Sequence, residues 1–158
     1  MPSRRFAVAI CLLAVNTTAQ AESHSWLFVS LLRAKTIVTF QRDAETGALQ
    51  RRGETTCPAE PAFLSVSPDR KTLFASYRST GQLASFRIDP ANGKLEPLSV
   101  VAGGEDPAYV LADRTGRFLL SAYYLANKVT VHRLGPDGSI SAEALQTIAT
   151  AEKAHGFA

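Results

Sequence analysis

The stretch LFASYRSTGQLASFRIDPANGKLEPLSVVAGGEDPAYVLADRTGR, residues 73–117, decides the fold, because the chain says nearly the same thing on either side of it. Leu27-Phe28-Val29-Ser30 stands 46 positions before Leu73-Phe74-Ala75-Ser76, and Leu119-Leu120-Ser121-Ala122 stands 46 positions after it. Phe40 keeps step with Phe86, Gly47 with Gly93, Leu49 with Leu95, and Pro61-Ala62-Phe63 with Pro107-Ala108-Tyr109. In the third copy the register slips by one, so that Gly138 and Ile140 answer Gly93 and Leu95. A fixed period of this length marks a repeat architecture.

Each repeat holds four short strand-like runs: 62–66, 73–77, 83–88 and 95–101 in one copy, and 108–112, 118–123, 128–134 and about 144–148 in the next. Turn-forming clusters separate them, among them Pro68-Asp69-Arg70-Lys71, Ser79-Thr80-Gly81, Asp89-Pro90-Ala91-Asn92-Gly93 and Gly103-Gly104. Alternation along Leu83, Ser85 and Arg87 against Ala84, Phe86 and Ile88 is closer to period 2 than to 3.6. Four short strands per repeat predict an all-β chain, a β-propeller of four-stranded antiparallel blades. A β-sandwich with chance self-similarity is the competing architecture. Recurrence at one spacing across three copies favours the propeller.

The chain opens on Met1-Pro2-Ser3-Arg4-Arg5, then an apolar run over residues 6–15, then Ala19-Gln20-Ala21. A basic start, a short apolar run and a small-x-small site predict a secretory signal peptide over residues 1–21, and hence export. Of 17 basic and 14 acidic residues, two arginines lie in this leader, so the mature chain is near neutral. No basic stripe with interleaved aromatics is present, and nucleic acid is not an expected partner. Cys11 leaves with the leader, and Cys57 alone cannot form an internal disulfide.

Residues 25–158 read as a partial propeller. Residues 25–32, 36–41 and 49–55 are the second, third and fourth strands of a first blade, and two complete blades follow. Ala154-His155-Gly156-Phe157-Ala158 aligns with the first strand of a fourth. Three blades leave two apolar faces open, which predicts that the sequence is the N-terminal part of a longer propeller.

Antiparallel alternation brings the start of each first strand and the end of each second strand to one face. His155, Phe63 and Tyr109 fall at starts of innermost strands. Tyr77-Arg78 and Tyr123-Tyr124 fall at ends of second strands, and Glu105-Asp106 precede a first strand. One face thus gathers a histidine, an arginine, tyrosines and acids around the axis. Each has a plainer reading: His155 as a strand cap, Tyr77 and Tyr123 as packing at a repeated position, Arg78 as a solvated charge, Glu105 and Asp106 as turn residues. Asp69 and Asp113 fall at the opposite face as turn formers. His24 and His132 lie too far from His155 in the pattern to share a metal, and no glycine-rich phosphate loop precedes a helix. No metal and no cofactor are expected.

Residues 65–75 (SVSPDRKTLFA), Phe86-Arg87-Ile88-Asp89, Gly93-Lys94-Leu95, Ser121-Ala122-Tyr123-Tyr124 and Lys153-Ala154-His155-Gly156 resemble the lactonase family of seven-bladed β-propellers. That family includes the bacterial 6-phosphogluconolactonases and is similar to the fungal carboxymuconate lactonizing enzymes. The resemblance covers about residues 25–158 and implies hydrolysis of a small sugar lactone. His155 matches the family's central histidine, Tyr123 a common tyrosine and Arg78 an arginine of some members. On this reading His155 is the base that activates water, Tyr123 donates to the developing oxyanion, and Arg78 clamps the substrate's acid or phosphate group. Tyr77, Tyr109 and Tyr124 complete the substrate-binding set. Two alternatives stay open: a non-enzymatic exported propeller serving as a binding platform, and a muconate-type lactonizing enzyme.

Overall fold

The computed structural model describes residues 25–152 and Gly156. The leader, His155 and the other residues at the end of the chain lie outside the described residues, and with them the expected signal peptide and the start of a fourth blade.

All regular structure among the described residues is β. β1 (Ser25–Leu31), β2 (Thr36–Arg42) and β3 (Leu49–Thr56) form a three-stranded sheet. β4 (Pro61–Val66), β5 (Thr72–Tyr77), β6 (Gln82–Ile88) and β7 (Leu95–Ala102) form a four-stranded sheet in sequence order. β8 (Pro107–Ala112), β9 (Phe118–Tyr123), β10 (Lys128–Leu134) and β11 (Ile140–Ala149) form another. Every pairing is antiparallel. These are propeller blades, with β4 and β8 innermost and in contact with each other.

The repeat is written in the backbone. Lys35, Gly81 and Asn127 share one turn position 46 residues apart, and all three adopt positive φ (52°, 67° and 46°). Gly47, Gly93 and Gly138 share another, at 73°, 70° and 87°. At the start of each innermost strand the register shifts once, between Pro61 and Phe63 in β4 and between Pro107 and Tyr109 in β8. Such bulges re-aim the side chain that follows them. Asp69 and Asp113 form turns as expected: Asp69 accepts from Ser67 Oγ (2.6 Å) and the Lys71 amide (3.1 Å), while Asp113 accepts from the amides of Thr115, Arg117 and Phe118.

The middle blade is covered on both faces. Leu73, Ala75, Tyr77, Ala84, Phe86 and Ile88 point to the first blade and meet Ile37, Cys57 and Ala59, with Trp26 and Phe28 at the margin. Phe74 and Leu83 point the other way and meet Val110, Ala112, Leu119 and Ile140. This double burial explains the blurred alternation in β5, whose six residues are all buried. β11 begins at Ile140, four residues before the run read from sequence. Beyond its first two residues it is exposed and carries no alternation, and two register shifts against β10 absorb its extra length. No helix among the described residues is long and apolar enough to cross a membrane.

Candidate functional site

The ends of β5, β7 and β9 and the starts of β6, β8 and β10 meet on one face of the molecule. The β5–β6 turn lies against the β7–β8 connection, where the Gly103 and Gly104 amides donate to Gly81 O at 2.8 and 3.0 Å. The fit requires glycine: a Cβ at Gly81 would fall 2.5 Å from Gly104 O. The next blade leans on the same connection, with Lys128 Nζ donating to Gly103 O (3.3 Å) and the Tyr124 amide to Asp106 O (3.3 Å).

Arg78 and Asp106 are the charged centre of this face. Arg78 Nε donates to Asp106 Oδ1 at 2.5 Å and Nη2 to Oδ2 at 3.0 Å. The two side chains differ in exposure, 46% for Arg78 against 9% for Asp106, so the carboxylate sits behind and the guanidinium reaches solvent. The hydrogen bonds from Arg78 hold the Asp106 carboxyl below its ordinary range, and those to Asp106 raise Arg78. Tyr124 lies within electrostatic reach of Arg78.

Tyr109 lines the inner strand and packs on Phe63, ring centroids 4.2 Å apart at 44°. Gly156 passes over that ring: a Cβ there would lie 3.4 Å from Tyr109 Cδ2. His155, next to Gly156 in the chain, lies outside the described residues.

Tyr77 and Tyr123 do not stand open at the mouth; both are fully buried. Their rings turn into the joints between blades, because the position faces the neighbouring sheet and not the axis. Tyr77 abuts Cys57, and burial raises both groups; the Tyr77 hydroxyl completes no hydrogen bond, while Cys57 Sγ donates to Thr55 O at 3.8 Å. Tyr123 occupies the equivalent joint one repeat on. Its hydroxyl accepts from Thr130 Oγ1 (3.2 Å), and a Cβ on Gly103 would fall 2.6 Å from it. Lys128 Nζ sits 4.6 Å from the Tyr123 ring centroid. Of the sequence-derived set, Arg78 and Tyr124 come together, Tyr109 lies on the innermost strand β8, and Tyr77 and Tyr123 are buried in the joints between blades. Lys128 and the Arg78–Asp106 pairing were missed. Lys128 opens a strand, and the repeat gives such a position no special weight.

A groove of about 1400 Å³ lies on the opposite face. It is bounded by turns of all three blades and includes Arg42, Arg70, Lys71, Arg87 and Arg114. Its walls are turn segments and the adjoining strand ends, with no bidentate ion pair among its lining residues. Among the described residues, no group of three His, Cys, Asp or Glu side chains is arranged to hold a metal.

Comparison with known proteins completes the assignment. A family model described as lactonase, 7-bladed beta-propeller, matches residues 23–156. The chain belongs to this family. The 6-phosphogluconolactonase of Xenorhabdus nematophila is 33% identical over 85 residues, covering 54% of this chain and 26% of that protein. A solved structure from Bacteroides fragilis superposes with a TM-score of 0.72 at 25% identity, over 83% of this chain and 38% of its own. The periplasmic gluconolactonase of Pseudomonas aeruginosa shares the fold at 23% identity, with a TM-score of 0.72 over 80% of this chain and 37% of its own. The chain thus spans well under half the length of the relatives it matches.

Proposed function

We propose that the full propeller is an exported lactone hydrolase whose site lies on the face carrying Arg78. The observation that carries this reading is the Arg78–Asp106 pair, with Tyr124 within electrostatic reach of Arg78, on the face formed by the ends of β5 and β9 and the start of β8. Family membership and a relative named 6-phosphogluconolactonase support the reaction class. The leader-like residues 1–21 support export.

Ring opening of a lactone is acyl transfer to water. His155 takes a proton from water as its oxygen attacks the carbonyl carbon. The tetrahedral oxyanion collapses, the ring C–O bond breaks, and the proton passes to the departing alkoxide to give the hydroxy acid. Arg78 binds the substrate's anionic group by its planar fork. Tyr109 and Tyr124 offer ring faces and hydroxyls to the sugar. Tyr123, enclosed beneath Gly103, supports Lys128 and the connection above it and does not touch the substrate.

The test is hydrolysis of 6-phosphogluconolactone and of gluconolactone by the full chain, with spontaneous opening subtracted. Loss of the base in His155→Ala lowers kcat by about 10²–10⁴-fold. An equal rate in that variant would remove His155 from the reaction. No rate above background with either lactone favours the binding platform, for which the basic groove of the opposite face is the natural seat.

A further inference from the structure

Arg78 and Asp106 both break the repeat. The positions 46 residues from Arg78 hold Leu32 and Tyr124, and Glu60 stands 46 residues before Asp106. Asp106 also breaks it in backbone. Its φ is +58°, whereas Glu60 has no positive φ. Left-handed geometry is disfavoured for a residue with a Cβ, and Asp tolerates it better than most. A strained residue persists where its surroundings over-determine it, often beside a functional group. Here the surroundings are visible: the glycine pair before it is pinned to Gly81, and the Tyr124 amide holds its carbonyl.

This geometry delivers a buried carboxylate to the Nε–Nη2 edge of Arg78. The Nη1 amine lies outside the pair. A flexible arginine loses side-chain freedom whenever it grips an anion, and a guanidinium already fixed on one edge loses less.

We propose that Asp106 is a positioning residue, which presets Arg78 to receive an anionic oxygen group of the substrate, a phosphate ester or a carboxylate. The inference rests on the hydrolase reading for its substrate, but the anion-binding step stands apart from turnover and is measured apart from it.

The test uses the full chain with Asp106→Asn, Asp106→Gly and Arg78→Met. The glycine variant accepts the positive φ and removes only the carboxylate, so it separates positioning from folding. Calorimetric titration with inorganic phosphate and, separately, with gluconate tells a phosphate site from a carboxylate site. Affinity for one of them falls about tenfold or more in all three variants, the scale of a charged hydrogen-bonded contact. Where phosphate is the anion affected, KM for 6-phosphogluconolactone rises by the same factor in the two Asp106 variants while kcat holds, and in those variants gluconolactone, which carries no anion, keeps its KM. Unchanged anion affinity in both Asp106 variants overturns the proposal, as does a parallel loss with charged and neutral lactones, which marks a purely structural tie. Anion binding that depends on Asp106 without hydrolysis of either lactone sinks the hydrolase reading and keeps this one.

Discussion

Tyr123 shows what a single residue's surroundings decide. By sequence it ends a second strand at the channel mouth and offers a phenol to an oxyanion. In the structure its hydroxyl faces Thr130 under Gly103, and burial raises its pKa against the hydrogen bonds of Thr130 and Ser121. Tyr123→Phe therefore costs the Thr130 hydrogen bond, about 0.5–1.5 kcal/mol of stability by urea denaturation, and leaves lactone turnover essentially unchanged. A loss of kcat of two orders or more, without loss of fold, would restore the donor role. The placement of the candidate residues was legible: Arg78, Tyr109 and Tyr124 sit on the face that alternation assigned. Their pairings were not. Arg78 and Asp106 are 28 residues apart, and they meet because of one left-handed residue that no local pattern marks.

At the scale of elements, nearly all of the architecture was legible, because turn residues at a fixed offset declare a repeating sheet. The exception is β11, an exposed outer strand whose irregular pairing hides its start. The glycines show what the repeat conserves physically. Gly47 and Gly93 hold the same turn position with nearly the same φ, 73° and 70°, yet their neighbours differ. Nothing lies within 4 Å of a Cβ built on Gly47, while one on Gly93 would fall 2.7 Å from the Trp26 ring and 2.8 Å from Thr39 Cγ2. Gly93 is where the middle blade rests on the first, and Thr39 Oγ1 donates to its carbonyl at 3.2 Å. Gly47→Ala bears the backbone strain alone, about 1–2 kcal/mol. Gly93→Ala adds overpacking of the blade joint, for a total of about 2–5 kcal/mol. Urea midpoints of the two variants give the difference. Equal shifts would mean that the blade contact at Gly93 yields freely.

At the scale of the whole molecule, the two faces of the propeller are chemically distinct. One is made of Asp- and Gly-based turns and carries the wide basic groove. The other is made of the blade-to-blade connections, carries the Arg78–Asp106 pair, and receives the chain at Gly156. Blades of similar sequence build a scaffold, and in the proposed reading function enters where the repeat is broken. The most direct measurement of this account is a crystal structure of the full chain with 6-phosphogluconate, the product of phosphogluconolactone hydrolysis, bound. The account predicts the ligand on the Arg78 face, an anionic group on the guanidinium and the sugar chain beside Tyr109. Density for the ligand in the groove among Arg42, Arg70 and Arg114, with the Arg78 face empty, would contradict it.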